Sequence, residues 1–357
     1  MEKGFIMAAD KKYCMSAYLM FRGLLTDTKS FAAGIRPFIA DGSFPRTQVH
    51  DSNELYLHLK KEVERHTAGG KTALMLSGGI DSAILASFMP KGSTVYTLQC
   101  LVPGKQVTDE TGAAGEIARQ FGLQQKIVPI YWEDFLQYAA PLMLHKGAPI
   151  HSIEVQIYKA ALQAKADGFN KLIFGENADI IYGGMNGLLA KDWTFGEFVE
   201  RYTYVMPYQA LKDPLLILEP FWKYTSDGHV DAHAFINEYF RIEALGTYNN
   251  ACQTAGIQFA GPFSTSNMAV PMDYARIRRG DAKYLIREVF YRIFEGKDIP
   301  PKTPMPRPMD EWMKTYTGPV RPEFIPHCTD GMSGDQRWMV YALEQYLNIL
   351  EEKGYGE

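Results

Sequence analysis

The chain has 357 residues, of which 46% are hydrophobic and 22% charged, and its net charge is −4. This is the composition of an ordinary globular protein with one large or two closely joined domains. No uninterrupted apolar stretch reaches the ~20 residues a membrane helix needs, and Met1-Glu2-Lys3-Gly4 opens no signal-peptide core. A cytoplasmic location without a membrane partner is the expectation. Cys14, Cys100, Cys252 and Cys328 are widely spaced and form no C-x-x-C pair, so they suggest neither zinc nor a disulfide framework. The lack of a Lys/Arg block argues against a nucleic-acid partner.

Residues 1 to 50 carry the apolar run Cys14 to Phe21, which must pack onto something. A helix begins near Asp51, with Glu54 three residues on as a capping box and Leu55, Leu57, Leu59 and Val63 on its apolar face. Strand Thr72 to Leu76 follows, then a helix over 81 to 89, a β-rich run at 94 to 102 and a helix over 109 to 121. The alternation continues with a strand at 126 to 131, a helix over 153 to 167 and a strand at 171 to 174. Strands alternating with helices predict an α/β fold: a doubly wound parallel sheet with ligands at the carboxyl ends of its strands. From about residue 185 the sequence turns aromatic-rich and helical, with no clear strand, and reads as a helical C-terminal cap. A proline-dense run, 299 to 308, is extended rather than helical, and a last helix covers about 335 to 350. The expected organisation is a packing segment at 1–50, a domain at 51–325 with its sheet core at 70–185 and helical part at 186–325, and a helical tail at 326–357.

The stretch Leu76-Ser77-Gly78-Gly79-Ile80-Asp81-Ser82 sits where the first strand meets its helix. Glycines let backbone approach an anion, a helix N-terminus aims unpaired N–H groups at it, and Ser77 and Ser82 add hydroxyl donors. Asp81 is badly placed beside bare phosphate and well placed with Mg2+ between carboxylate and phosphate oxygens. Neither the Walker spacing nor the dinucleotide spacing of glycines is present. The stretch resembles the pyrophosphate loop of the ATP pyrophosphatases, the PP-loop superfamily, which cut ATP between its α and β phosphorus.

A second glycine-bounded acidic cluster, Gly175-Glu176-Asn177-Ala178-Asp179-Ile180-Ile181-Tyr182-Gly183-Gly184, follows the strand at 171 to 174. It resembles the G-E-G-[SA]-D-E-[LV]-F-G-G signature of the asparagine synthetase family. Asp109-Glu110 resembles the family's D-E-x-x-x-A helix, Lys283 to Glu288 its K-x-x-L-R-E helix, and Lys302 its late catalytic lysine. The resemblance covers nearly the whole chain and extends to β-lactam synthetase-type relatives with an adenine nucleotide alpha hydrolase-like (HUP) fold. It implies ATP and Mg2+ as cofactors, with Asp81 and Asp179 sharing the metal. Glu176 would handle protons as an amine attacks, and Lys302 would face the α-phosphate and the developing oxyanion. Leu76, Ser77, Gly78, Gly79, Asp81, Ser82, Leu98, Gly175 and Lys283 would hold the nucleotide. Taken without the resemblance, two such aspartates can be helix caps, a reading that stays open for Asp179 on its own, and Lys283 and Arg287, four apart on a basic helix face, are more often solvated charge than ligand.

The implied reaction adenylates a substrate carboxylate, releases pyrophosphate and passes the acyl group to ammonia or an amine. Family members that use glutamine begin with a cysteine exposed by Met1 removal, whereas this sequence begins Met1-Glu2. The expected partners are therefore a small-molecule carboxylate and free ammonia or an amine, or ammonia from a separate glutaminase subunit, with homo-oligomerisation left open. The family's central glycine is Asn177 here, its D-E pair is Asp179-Ile180, and its P-F-L-D element is Pro262-Phe263-Ser264-Thr265. Two carboxylates are thus gone, which favours a specialised amide synthetase. The alternatives are ammonia-dependent asparagine synthesis, tRNA modification or thiolation, and a catalytically silent nucleotide-binding relative.

Overall fold

The computed structural model describes residues 8–40, 45–300 and 305–355. Its centre is a five-stranded, all-parallel sheet of β1 (Thr72–Met75), β2 (Thr94–Cys100), β3 (Gln124–Ile130), β4 (Lys171–Ile173) and β5 (Gln258–Ala260), in the order β5-β4-β1-β2-β3. Central β1 is buried along its whole length, as a strand covered on both faces must be.

The main helices are α1 (Lys11–Phe21), α2 (Ser52–Thr67), α3 (Ile80–Ser87), α4 (Thr111–Phe121), α5 (Trp132–Lys146), α6 (Ser152–Ala166), α7 (Ala178–Ile181), α8 (Phe195–Tyr202), α9 (Arg241–Ala255), α10 (Tyr284–Ile293) and α11 (Gly334–Glu352). Contacts divide most of them into two groups. One packs α2, α3, α4 and α10 together, and the other packs α5, α6, α9 and α11. The chain winds outward from β1 to β3 through α3 and α4, then returns through α5 and α6 to β4 on the other side of β1. The strand order therefore reverses between β1 and β4, which is where a doubly wound sheet opens a crevice for ligands.

The doubly wound expectation holds, with corrections in detail. The sheet is not confined to 70–185: β5 lies within the part expected to be helical, and further short strands occur at Trp193–Thr194, Thr225–Ser226, His229–Val230 and Ser266–Met268. Three residues at a sheet edge leave no alternating pattern to read. Helix α5, which carries Pro141 within its length, escaped the sequence reading as well. The segment His233 to Phe240 is one short helix followed by a π-helical turn at Ile236–Phe240. Asp51 caps α2 by accepting from the N–H groups of Asn53 and Glu54, but Glu54 returns its bond to the N–H of His50 and not to Asp51. Among the described residues, no helix is long and apolar enough to cross a membrane.

Helix α1 buries Cys14 and Ala17 through Phe21 completely. The Tyr18 hydroxyl (2.8 Å) and the Trp338 indole N–H (3.1 Å) both donate to the Ile150 carbonyl, so α1 and α11 hang on the turn that precedes α6. Beneath that turn, Lys146 pairs with Glu154, both buried, and Glu154 also accepts from Asn250 (2.8 Å) and the His151 N–H (3.0 Å). The pair ties α5, α6 and α9 together where an unpaired charge would be costly. Lys146→Met should therefore lose about 3–5 kcal/mol in urea unfolding, and adding Glu154→Leu should recover much of it. Equal loss in the single and double variants would contradict the pairing.

Candidate active site

The crevice between β1 and β4 is lined by Met75, the last residue of β1, by Leu76, Ser77, Asp81 and Ser82 after it, and by Phe174, Gly175, Glu176 and Asp179 after β4. Thr97 and Leu98 of β2, Glu110, Tyr248, Met305 and Pro306 complete it. Leu76 is anchored by donating its N–H to the Tyr96 carbonyl at 2.8 Å, and the chain then turns through Ser77, Gly78 and Gly79 into α3. Gly79 occupies the N-cap position of α3, so no N-cap side chain takes up the first N–H groups of the helix. The Ser77 and Ser82 hydroxyls are 2.9 Å apart, Ser82 Oγ accepts from Ser77 N–H at 3.1 Å, and Ser77 Oγ accepts from Gly79 N–H at 3.1 Å. The loop thus holds its own shape before any ligand arrives.

Two glycines let the two strand ends meet. A Cβ on Gly175 would stand 3.1 Å from Asp81 Cβ and 3.2 Å from Ser82 N. A Cβ on Gly78 would stand 3.1 Å from Ala113 Cβ, where α4 packs on the loop. At the second cluster Asn177 adopts φ +68°, a left-handed conformation that glycine takes freely and asparagine tolerates better than most residues. Its side chain donates to Ser264 Oγ at 2.8 Å. Two departures from the family pattern, Asn177 and Ser264, are therefore one hydrogen-bonded pair.

Lys283 is the focus of the site. It caps the N-terminus of α10 at φ +55° with its side chain buried, and its ammonium donates to Asp81 Oδ2 at 2.5 Å and meets Asp179 Oδ1 at 2.9 Å. Burial disfavours its charge, but Asp81 and Asp179 outweigh that and hold its pKa above the ordinary lysine range. The reading of Lys283 as solvated helix-face charge is thus corrected. Arg287, one turn on, does point outward to Asp281 at 3.3 Å. Gly184 makes the arrangement sterically feasible, since a Cβ there would fall 2.0 Å from Asp179 Oδ1 and 2.3 Å from Lys283 Cε.

Glu176 lines the crevice beside Asp179. Burial raises its pKa to about 7, against hydrogen bonds from the Tyr248 hydroxyl and the Asn177 N–H. Glu110 is pushed up to about 6 by burial and then by Asp109. Tyr248, on α9, carried no signal in the sequence beyond an aromatic residue at a helical position. Glu110 belonged to a noted motif but not to the expected site. Lys302 lies outside the described residues.

Asp81 and Asp179 already converge on one cation, the Lys283 ammonium, and present hard oxygen donors. That fits Mg2+, whose remaining ligands would be phosphate oxygens and water. Among the described residues, no group of three or more metal-binding side chains is present, so the protein itself would supply two ligands.

The glycine-rich loop after β1 and the acidic turn after β4 meet at the switch point of a doubly wound sheet. The chain belongs to the asparagine synthase family, which matches residues 54–253, more than half its length. It is thereby an ATP-using enzyme of the synthetase type. Among solved structures it is similar to NMN synthetase from Francisella tularensis (14% identity, 71% of this chain and 99% of that chain covered, TM-score 0.28). It is also similar to the U34-tRNA thiolase NcsA from Methanococcus maripaludis with its 4Fe–4S cluster (16% identity, 70% and 83% covered, TM-score 0.25). At these values neither structure bears on the reaction. No curated protein matches the chain.

The left-handed conformation at residue 177 yields a stability test. Asn177→Ala should destabilise the fold by about 1–2 kcal/mol through backbone strain, and further through loss of the Ser264 bond, whereas Asn177→Gly should lose only that bond. Equal urea midpoints for the two variants would contradict the assignment.

Proposed function

We propose that the protein is an AMP- and pyrophosphate-forming amide synthetase that adenylates a small-molecule carboxylate and transfers the acyl group to ammonia or an amine. The observation that carries this reading is the convergence of Asp81, Asp179 and Lys283 at the ends of β1 and β4, directly beside Glu176. Four carboxyl groups, Asp81, Glu110, Glu176 and Asp179, line a crevice that would receive a polyanion. Such a lining favours ATP only with cations present. Mg2+ bound by Asp81 and Asp179 would supply charge neutralisation for the departing pyrophosphate.

The residues divide the remaining work. The Ser77 to Ser82 loop and the first turn of α3 hold the β,γ-phosphates. Lys283, now paired with the two carboxylates, is assigned to a phosphate oxygen when Mg2+ takes its place on them. Leu76, Thr97 and Leu98 line the crevice along the strand ends, where the nucleoside half would lie, and Gly175 gives it close backbone approach. Lys302 is the residue we assign to the α-phosphate and the developing oxyanion. Glu176, held by Tyr248, takes the proton released as the amine attacks the adenylate, a task suited to a carboxyl whose pKa lies near neutrality.

Two outcomes test the reading. With Mg2+, ATP, ammonium and a panel of carboxylic acids, at least one acid should give equal amounts of AMP and pyrophosphate. Asp81→Asn should lower that rate by about 100-fold or more, the scale of losing a preorganised electrostatic contact. Pyrophosphate release that ignores the acid, or an active Asp81→Asn enzyme with unchanged metal dependence, would contradict it. The pH profile gives the second. Glu176 is protonated below its raised pKa and ionised above it, so the amide-forming rate, compared at equal concentrations of unprotonated ammonia or amine, should climb as pH rises through about 7. Glu176→Gln should remove that rise; an unaltered profile would exclude Glu176 as the base.

A further inference from the structure

Asp109 and Glu110 stand side by side at the start of α4 and do different work. The Asp109 carboxylate is occupied within the fold: it accepts from the Gln99 side-chain amide of β2 at 2.8 Å and from the Thr111 N–H in the first turn of α4 at 2.8 Å. These bonds fix the start of α4 beside the end of β2. Glu110, at the N-cap position, makes no capping bond and lines the crevice together with Thr97 and Leu98 of β2. Its Oε1 lies 3.8 Å from the place a Cβ on Gly78 would take, so the carboxyl also stands beside the loop after β1.

The other carboxyl groups of the crevice are engaged. Asp81 and Asp179 hold Lys283, and Glu176 accepts from the Tyr248 hydroxyl and the Asn177 N–H. Thr97 Oγ1 accepts from Gln125 Nε2 at 3.1 Å. Glu110 alone among these carboxyls has neither a hydrogen bond nor an ion pair among the described residues, although it is half-buried. Removing a carboxylate from water without supplying a donor is unfavourable, so an acceptor in this state is suited to a donor brought by the ligand.

The nucleotide limits what that donor can be. Its phosphates are acceptors and repel a carboxylate. Mg2+ belongs with Asp81 and Asp179; Asp179 acts on Glu176, whereas the charge that acts on Glu110 is Asp109. The nucleoside remains, with donors on the ribose and, in adenine, the 6-amino group. Geometry separates these two. The reacting phosphorus lies near Glu176, after β4, and β2 stands two strands away, about 10 Å at the usual strand spacing. The base is the part of the nucleotide most distant from that phosphorus and so falls over β2, beside Thr97, Leu98 and Glu110.

We propose that Glu110 selects the base: its carboxylate accepts from the 6-amino group of adenine and repels the 6-keto oxygen of hypoxanthine or guanine. The assignment rests on the placement of the nucleotide given above. It goes further by naming the residue that makes ATP the substrate and excludes 6-keto purine nucleotides. A carboxylate offers only acceptors, so it distinguishes an amino group from a keto group by attraction and by repulsion.

The test is calorimetric titration of the wild-type protein, Glu110→Gln and Glu110→Ala with the Mg2+ complexes of ATP, ITP and 2′-deoxy-ATP at pH 8, with no acid present. The wild type should bind MgATP more tightly than MgITP by about tenfold or more, the scale of one charge-assisted hydrogen bond. Glutamine can turn its amide N–H toward a keto oxygen, so Glu110→Gln should weaken MgATP, tighten MgITP and close most of that gap. Glu110→Ala should weaken MgATP without tightening MgITP. The deoxy nucleotide should lose the same factor in all three proteins. Equal binding of ATP and ITP by the wild type would overturn the inference. So would a Glu110→Gln variant that keeps the wild-type ratio, whether it shifts the Mg2+ dependence or the response to 2′-deoxy-ATP instead. Those results leave ATP binding intact and overturn the base assignment alone. Failure of the wild type to bind MgATP would overturn the nucleotide reading and the inference with it.

Discussion

The bridge from Lys283 to Asp81 and Asp179 is the contact on which the rest of the site depends. It joins three segments far apart in sequence: the loop after β1, the turn after β4 and the start of α10. Two carboxylates facing each other across a crevice repel, and the buried ammonium makes their approach favourable. The bridge in turn needs Gly184, whose missing side chain is the space the lysine passes through. Asp81 comes from the first turn of α3 and Asp179 from α7, so the fold's switch point and the cation site coincide.

That arrangement gives chemical sense to the surrounding charges. A site with several carboxyl groups and a single buried lysine among its described residues is suited to a ligand that brings its own cation, as a metal-bound nucleotide does. The pKa of Glu176 is high because the protein buries it beside Asp179, and Tyr248 limits the rise. A carboxyl tuned toward neutrality can move a proton, whereas Asp81 and Asp179, fixed on a cation, are suited to binding. The same turn after β4 assigns these two tasks to residues three positions apart.

What could be read from the sequence was whatever chemistry lies in a short contiguous run. Ser77 to Ser82 and Gly175 to Gly184 each concentrate glycines, hydroxyls and carboxylates within one turn, and both lie at the crevice. The β-α alternation up to β4 was legible because each strand had an apolar run bounded by turns. Lys283 was legible only through resemblance, since the surface-like spacing of its helix conceals a left-handed N-cap that turns the side chain inward. Tyr248 reaches the crevice from a helix whose placement is set by tertiary packing, and nothing local announces it. β5 was missed because three residues at an edge owe their conformation to β4 rather than to their own pattern. The exchange of the family's glycine for Asn177 read as a departure from the pattern; in the fold Asn177 holds a left-handed backbone conformation and donates to Ser264.

The most direct measurement follows the oxygen. If the carboxylate attacks the α-phosphorus of ATP at this site, turnover of an 18O-labelled acid must place one labelled oxygen in AMP and none in pyrophosphate, as read by the isotope shift in phosphorus NMR. Unlabelled AMP, or label appearing in inorganic phosphate beside ADP, would contradict carboxylate adenylation at the Asp81, Asp179 and Lys283 centre.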